Sequence, residues 1–122
     1  MKVFLVDDSE SVRARIRVSL QEFGADIVGE AANQKEAIEG IVCAQPDVAV
    51  FDLQLREGTG LNVLKYMKKA CPQITAVVLT NYASEEVHSH CLKAGADHFF
   101  EKTRQYVEFI ALIRQLNERL TA

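Results

Sequence analysis

The chain has no tryptophan, two prolines, six glycines and three cysteines in 122 residues. So little proline and glycine, with no repeat at fixed period, leaves no low-complexity or linker-like stretch. Cys43, Cys71 and Cys91 are odd in number, widely spaced and form no CxxC, so a disulfide framework is not expected. A reducing cytoplasm is the expected compartment. Long apolar runs are also missing: nothing approaches the roughly 20 residues that cross a bilayer. The opening MKVFLVDDSE is apolar too briefly before its two acids to act as a signal peptide, and it suits a first strand. Excess charge of one sign is absent as well. The net charge is −3 and no Lys/Arg cluster stands out, which argues against a broad surface for nucleic acid or anionic membrane.

What is present is a globular composition, 48% hydrophobic and 25% charged, at a length that fits one domain with a single core. Short apolar runs alternate with helical patterns. Val3 to Val6 read as a strand, followed by Val12, Ile16, Leu20 and Phe23 at helical spacing and Gly24 as a left-handed end. A second strand is expected over 26–31, then a helix opened by Asn33 with Glu36 in capping-box position and Ala37, Ile38, Ile41 and Val42 on its apolar face. Pro46 breaks that pattern. Val48 to Phe51 are apolar without interruption, as in a central parallel strand buried on both faces.

Residues 56–60 read as a loop, and Leu61, Val63, Leu64 and Met67 carry a third helix that Pro72 stops. Thr75 to Leu79 form a fourth strand. Ser84 then caps a helix with Glu85 and Glu86 in its first turn, ending near Gly95. His98 to Glu101 form a fifth strand, and Val107, Ile110, Ile113, Leu116 and Leu120 mark the apolar stripe of a last helix. Five strand–helix pairs in strict alternation predict an α/β fold: a parallel sheet covered by helices on both faces.

In such a sheet ligands bind beyond the C-terminal strand ends. The first strand ends in Asp7 and Asp8, the third in Asp52, the fourth in Thr80 and Asn81, and the fifth in Glu101 and Lys102. Three aspartates, the Thr80 hydroxyl and the Lys102 ammonium are thus expected at one edge. Crowded carboxylates repel unless a cation offsets them, and hard oxygen donors with room for water suit Mg²⁺. Such a site serves phosphoryl transfer, with Asp52 as nucleophile. Taken singly, Asp7 and Asp8 could merely cap the first helix and Lys102 could be a solvated surface residue; their joint placement favours a functional cluster.

On FLVDDS at 4–9, VAVFDLQL at 48–55, the Gly58–Gly60 loop, VVLTNYAS at 77–84 and KAGADHFFEK at 93–102, the chain resembles the receiver domain of two-component response regulators over its whole length. The likeness extends to the chemotaxis response regulators. It implies one receiver domain over residues 1–122 with the (βα)5 flavodoxin-like fold, a doubly wound five-stranded sheet of order 2-1-3-4-5. It implies Asp52 as phosphoacceptor and Asp7, Asp8, Asp52 and the backbone carbonyl of Gln54 around Mg²⁺. Thr80 matches the switch hydroxyl, Lys102 the lysine that pairs with the phosphoryl group, and Phe99 the aromatic switch residue. Gln54 and Tyr82 flank the path of a hydrolytic water and are expected to tune phosphate lifetime.

The implied partners are a sensor histidine kinase or phosphotransfer protein, and a downstream protein or output domain. A homodimer can form on phosphorylation, and no nucleic-acid or membrane contact is expected from this chain. The changing surface is expected on the fourth helix, fifth strand and fifth helix, where Leu92, Lys93, Arg114 and Arg119 would lie; the last helix's apolar stripe is expected in the core. Two positions depart from the family pattern. Thr103 follows the lysine where a cis-proline is common, and a non-proline cis bond costs about 2.5–4 kcal/mol. That geometry is therefore left open, with Thr103 as a helix cap instead. Arg56 replaces a frequent proline.

Haloacid-dehalogenase-type phosphatases also use an Asp after an apolar strand, but they place a second Asp two residues on, where this chain has Gln54, whose amide cannot shuttle the proton. No GxxxxGKS/T, GxGxxG or GxSxG stretch occurs. His88, His90 and Cys91 have ligand chemistry, but only His88 and Cys91 share a helix face, without a third partner. The alternative of context is the N-terminal receiver part of a longer DNA-binding regulator.

Overall fold

The computed structural model describes residues 1–121, so Ala122, the last residue of the expected 1–122 domain, lies outside the described residues. The element order is β1 Lys2–Val6, α1 Glu10–Gln21, β2 Asp26–Ala31, α2 Gln34–Ala44, β3 Val48–Phe51, α3 Gly60–Ala70, β4 Thr75–Thr80, α4 Glu85–Lys93, β5 His98–Glu101 and α5 Tyr106–Thr121. The five strands are parallel and ordered β2-β1-β3-β4-β5, as the resemblance implied.

The unbroken apolar strands occupy the middle of the sheet because both of their faces are covered. All four residues of β3 are buried, and so are Ala76 to Leu79 of β4. One core lies between the sheet and α2, α3 and α4, centred on Phe51, Leu64 and Met67. The other lies between the sheet and α1 and α5, centred on Leu20, Phe109 and Ile113. Helix starts follow local chemistry: Ser9, Asn33, Thr59 and Ser84 each accept the backbone N–H three residues on. Gly24, at φ +90°, turns the chain beyond α1 in the left-handed region where a side chain is strained.

The first helix is capped by Ser9, so the plain capping reading of Asp7 and Asp8 does not hold. Two expectations change. Gly60 is the first residue of α3 rather than loop, because Thr59 caps the helix ahead of it. In α5 the expected stripe holds at Ile110, Ile113 and Leu116, which face the core, but Val107 and Leu120 are 77% and 58% exposed, and Phe109 is fully buried instead. The physical reason is aromatic packing. Phe109 packs edge-on against Phe100 and tilted against Tyr106, and these larger rings claim the inward direction.

Phe109→Ala is expected to cost about 3–5 kcal/mol of unfolding free energy, and Val107→Ala within about 0.5 kcal/mol. Urea denaturation of the two variants checks this; equal losses would restore the original stripe.

Candidate functional site

Parallel strands all point their C-terminal ends the same way, so the polar residues ending β1, β3, β4 and β5 meet along one edge. Strands β1 and β3 are neighbours with Val6 opposite Phe51, which brings the next residues, Asp7 and Asp52, together. The ladder extends one residue further on each side: Asp52 N donates to Val6 O at 2.9 Å, and Lys102 N donates to Thr80 O at 2.9 Å. Backbone pairing therefore sets the positions of these residues before their side chains interact.

Asp7 and Asp52 are buried, as is Thr80. The Lys102 Nζ donates to Asp7 Oδ2 and to Asp52 Oδ2, both at 2.7 Å. Asp52 Oδ1 accepts from the Thr80 hydroxyl at 2.6 Å and from Gln54 N at 3.2 Å. Asp7 Oδ1 accepts from Ser9 N at 2.9 Å. Burial pulls the Lys102 pKa down, but hydrogen bonds and charges from Asp52 and Asp7 outweigh it, so the net direction is up and the ammonium stays charged. Two carboxylates against one ammonium leave one negative charge in the buried cluster.

The structure brings Asp7, Asp52, Thr80 and Lys102 into one hydrogen-bonded group. Asp8 is exposed, and the Gln54 side chain is exposed as well. Glu101 does not join the group: its carboxylate faces Arg104 at 3.9 Å. The Thr80 hydroxyl donates to Asp52 and accepts from Tyr82 N at 3.1 Å, so it joins Asp52 to the β4–α4 loop. Tyr82 is 57% exposed and lines a cleft of about 590 Å³ with Leu53, Gln54, Thr59 and His90.

Phe99 is half-buried and stacks on His88 with centroids 4.5 Å apart and planes 14° from parallel. Cys91, one turn on from His88, points into the core, and burial pushes its thiol pKa up. No peptide bond among the described residues is cis, including Lys102–Thr103. Thr103 does not cap α5, which begins at Tyr106; its N and Oγ1 both donate to Asn81 Oδ1, at 3.1 and 2.8 Å.

Sequence reasoning missed this clamp between the β4–α4 and β5–α5 loops, although Asn81 beside Thr80 was a visible signal. It also missed the close approach behind Asp52. A Cβ on Gly60 would lie 2.0 Å from the Asp52 carbonyl oxygen, so only glycine lets α3 begin against the end of β3.

Among the described residues, no three His, Cys, Asp or Glu side chains converge into a closed metal cage. Mg²⁺ does not require one, since it takes one or two carboxylates and keeps several waters. Asp7 and Asp52 offer hard oxygens in a cluster of net negative charge with Asp8 following Asp7, so the donor set fits an open, hydrated Mg²⁺ site.

A doubly wound 2-1-3-4-5 sheet with buried acids and a lysine at its C-terminal edge defines a flavodoxin-like domain with an acidic site at its strand ends. The chain belongs to the response regulator receiver domain family, whose profile matches residues 3–114. The family generally takes Mg²⁺ at its acidic site. The chain is 34% identical over 120 residues to the DNA-binding transcriptional activator DevR/DosR of Mycobacterium tuberculosis, covering 95% of this chain and 54% of that protein. It is 33% identical over 116 residues to the response regulator protein VraR of Staphylococcus saprophyticus, covering 94% of this chain and 56% of that protein. The chain thus spans about half the length of the curated relatives it matches.

Among solved structures, the BeF3-activated N-terminal receiver domain of Klebsiella pneumoniae RstA superposes with a TM-score of 0.86 at 26% identity, covering 94% of this chain and 97% of that one. A LuxR-family two-component response regulator from Aurantimonas gives a TM-score of 0.87 at 24% identity, covering 94% and 83%, a likeness of fold. Among the described residues, no helix is long and apolar enough to cross a membrane.

Lys102→Met is expected to lower the unfolding free energy by about 2–4 kcal/mol near neutral pH, because it strands two buried carboxylates. The folded pKa of Lys102 lies above its unfolded value, so this contribution is fully present below the unfolded pKa and is lost as pH rises through the folded one. Denaturant titrations of both proteins should show a constant difference from about pH 7 to about pH 9 and a shrinking one above about pH 10.4. A difference that fades within the lower range contradicts the sign.

Proposed function

We propose that residues 1–122 act as one receiver module in the cytoplasm, accepting a phosphoryl group on Asp52 from a phosphohistidine of a sensor histidine kinase or phosphotransfer protein. The observation that carries this reading is the Asp52 carboxylate, held between the Thr80 hydroxyl at 2.6 Å and the Lys102 ammonium at 2.7 Å. A carboxylate gripped at both oxygens is oriented, as an attacking group must be.

In the transfer, one Asp52 oxygen forms a bond to phosphorus as the phosphorus–nitrogen bond of the donor breaks. The electron pair leaves with the imidazole nitrogen, which then takes a proton from solvent. Charge spreads over the equatorial phosphoryl oxygens, and the Lys102 ammonium and Thr80 hydroxyl offset it. Mg²⁺ would be held by Asp7, Asp8, Asp52 and the Gln54 carbonyl, and supplies further positive charge at those oxygens. The product is an acyl phosphate that signals by a shift of population rather than by turnover.

The readout runs through Thr80. Its hydroxyl exchanges a carboxylate oxygen for a phosphoryl oxygen, and Tyr82 N follows through its bond to Thr80 Oγ1. Phe99 responds together with the His88 ring stacked on it, which links the site to the surface of α4, β5 and α5. Leu92, Lys93 and Arg119 are exposed there and are available to a protein target, an output domain or a second copy, whereas Arg114 lies over the Phe23 ring just after α1. The half-length coverage and the printed description of DevR/DosR as a DNA-binding activator favour a second reading of context, a receiver part of a longer DNA-binding regulator. In that reading the DNA contact belongs to sequence outside this chain.

Acetyl phosphate with Mg²⁺ should add one phosphoryl mass to wild type and none to Asp52→Asn by intact mass spectrometry; equal gains in both would refute the assignment. Tyr82, exposed beside the site, is expected to shield the acyl phosphate from water. Tyr82→Ala should therefore lose label faster than wild type in a chase after donor removal, and an unchanged decay rate removes this role.

A further inference from the structure

Arg13 reaches the acidic turn from the side opposite Lys102. Its backbone N–H bonds Ser9 O at 3.0 Å, closing the first turn of α1. Helical side chains lean toward the N-terminus, and this one runs back past the cap. Its Nη1 donates to the backbone carbonyl of Asp7, and its Nε donates to Glu30 Oε1 at 3.1 Å. The other oxygen of Glu30 accepts from Arg17. The Arg13 side chain is only 15% exposed, so it is a packed arm rather than a solvated one.

Every other polar group of Asp7 is also engaged. Its N–H bonds Ala31 O at 3.1 Å, Oδ1 accepts from Ser9 N, and Oδ2 accepts from Lys102. The strand ladder ends one residue earlier, where Val6 O accepts Asp52 N. The Asp7 carbonyl lies beyond that ladder, and the guanidinium supplies its donor. That carbonyl belongs to the peptide joining Asp7 to Asp8, so whatever orients it also orients the two acids relative to each other. A guanidinium suits the task because its planar fork spans a carbonyl and a carboxylate at once, whereas a lysine ends in a single nitrogen.

We propose that Arg13, braced by Glu30, is a positioning residue that holds the Asp7–Asp8 peptide in the orientation that divalent-cation binding requires. This rests on the reading of the site as a Mg²⁺-dependent phosphoacceptor. Arg17 provides an internal comparison: it shares Glu30 but bonds no atom of Asp7.

Isothermal titration of Mg²⁺ into the unphosphorylated full chain tests the proposal without relying on activity. Arg13→Ala and Arg13→Lys should each weaken Mg²⁺ by at least about tenfold, as loss of a group that orients metal ligands does. Arg17→Ala, which removes only a surface ion pair, should stay within about twofold of wild type. Glu30→Gln keeps the side-chain shape and should give an intermediate loss. Labelling of Arg13→Ala by acetyl phosphate should approach the wild-type rate as Mg²⁺ is raised, whereas a general structural defect lowers the rate at every concentration. Should Arg13→Ala fail to fold, Arg13→Lys carries the comparison. Arg13 variants that titrate like Arg17→Ala overturn the positioning role alone. A wild type that takes up no Mg²⁺ overturns the metal reading and the positioning role together.

Discussion

The Lys102 ammonium between Asp7 and Asp52 is the interaction on which the rest of the site depends. Adjacent parallel strands deliver two carboxylates to the same buried edge, where their charges would repel. A cation from β5, the edge strand two places from β3, reaches both at 2.7 Å. The cost of burying each acid is offset only while that geometry holds. Because two carboxylates face one ammonium, the cluster keeps a net negative charge instead of closing into a neutral ion pair.

The same edge is wired so that a change at Asp52 does not stay local. Thr80 links Asp52 to the β4–α4 loop through Tyr82, and Asn81 ties that loop to Thr103 after β5. Lys102 and Thr103 are consecutive, so the charge partner and the clamp move as one segment. On the other side, Gly60 lets the start of α3 lie against the Asp52 backbone, and Arg13 fastens the Asp7 carbonyl to β2 through Glu30. Loops at a strand edge are ordinarily the softest parts of such a fold. Here hydrogen bonds between loops make them a connected surface, which is what a population shift needs in order to be felt at α4 and α5.

Much of this was legible in the sequence. Uninterrupted apolar strands, capping residues and the alternation of periods gave every element, because each is governed by neighbours along the chain. Asp7, Asp52, Thr80 and Lys102 could be placed at strand ends for the same reason. The middle of the α5 stripe was legible, since Ile110, Ile113 and Leu116 face the core, but its ends were not: Val107 and Leu120 are exposed, and Phe109 takes an inward place against Phe100 of β5. The Asn81–Thr103 and Arg13–Glu30 pairings could not be read as contacts, even with Asn81 in view beside Thr80, because the partners are 22 and 17 residues apart along the chain.

Sequence by itself therefore determined the fold class, the order of elements and which polar residues end the strands, since local pattern and residue type suffice for those. Tertiary structure alone decided that Lys102 bridges two acids, that Thr80 already bonds Asp52, that Glu101 turns away and that Phe99 lies on His88. Each of these is a choice among partners brought together by the 2-1-3-4-5 winding. A side chain's partner depends on distances across strands, and no spacing along the chain encodes those distances.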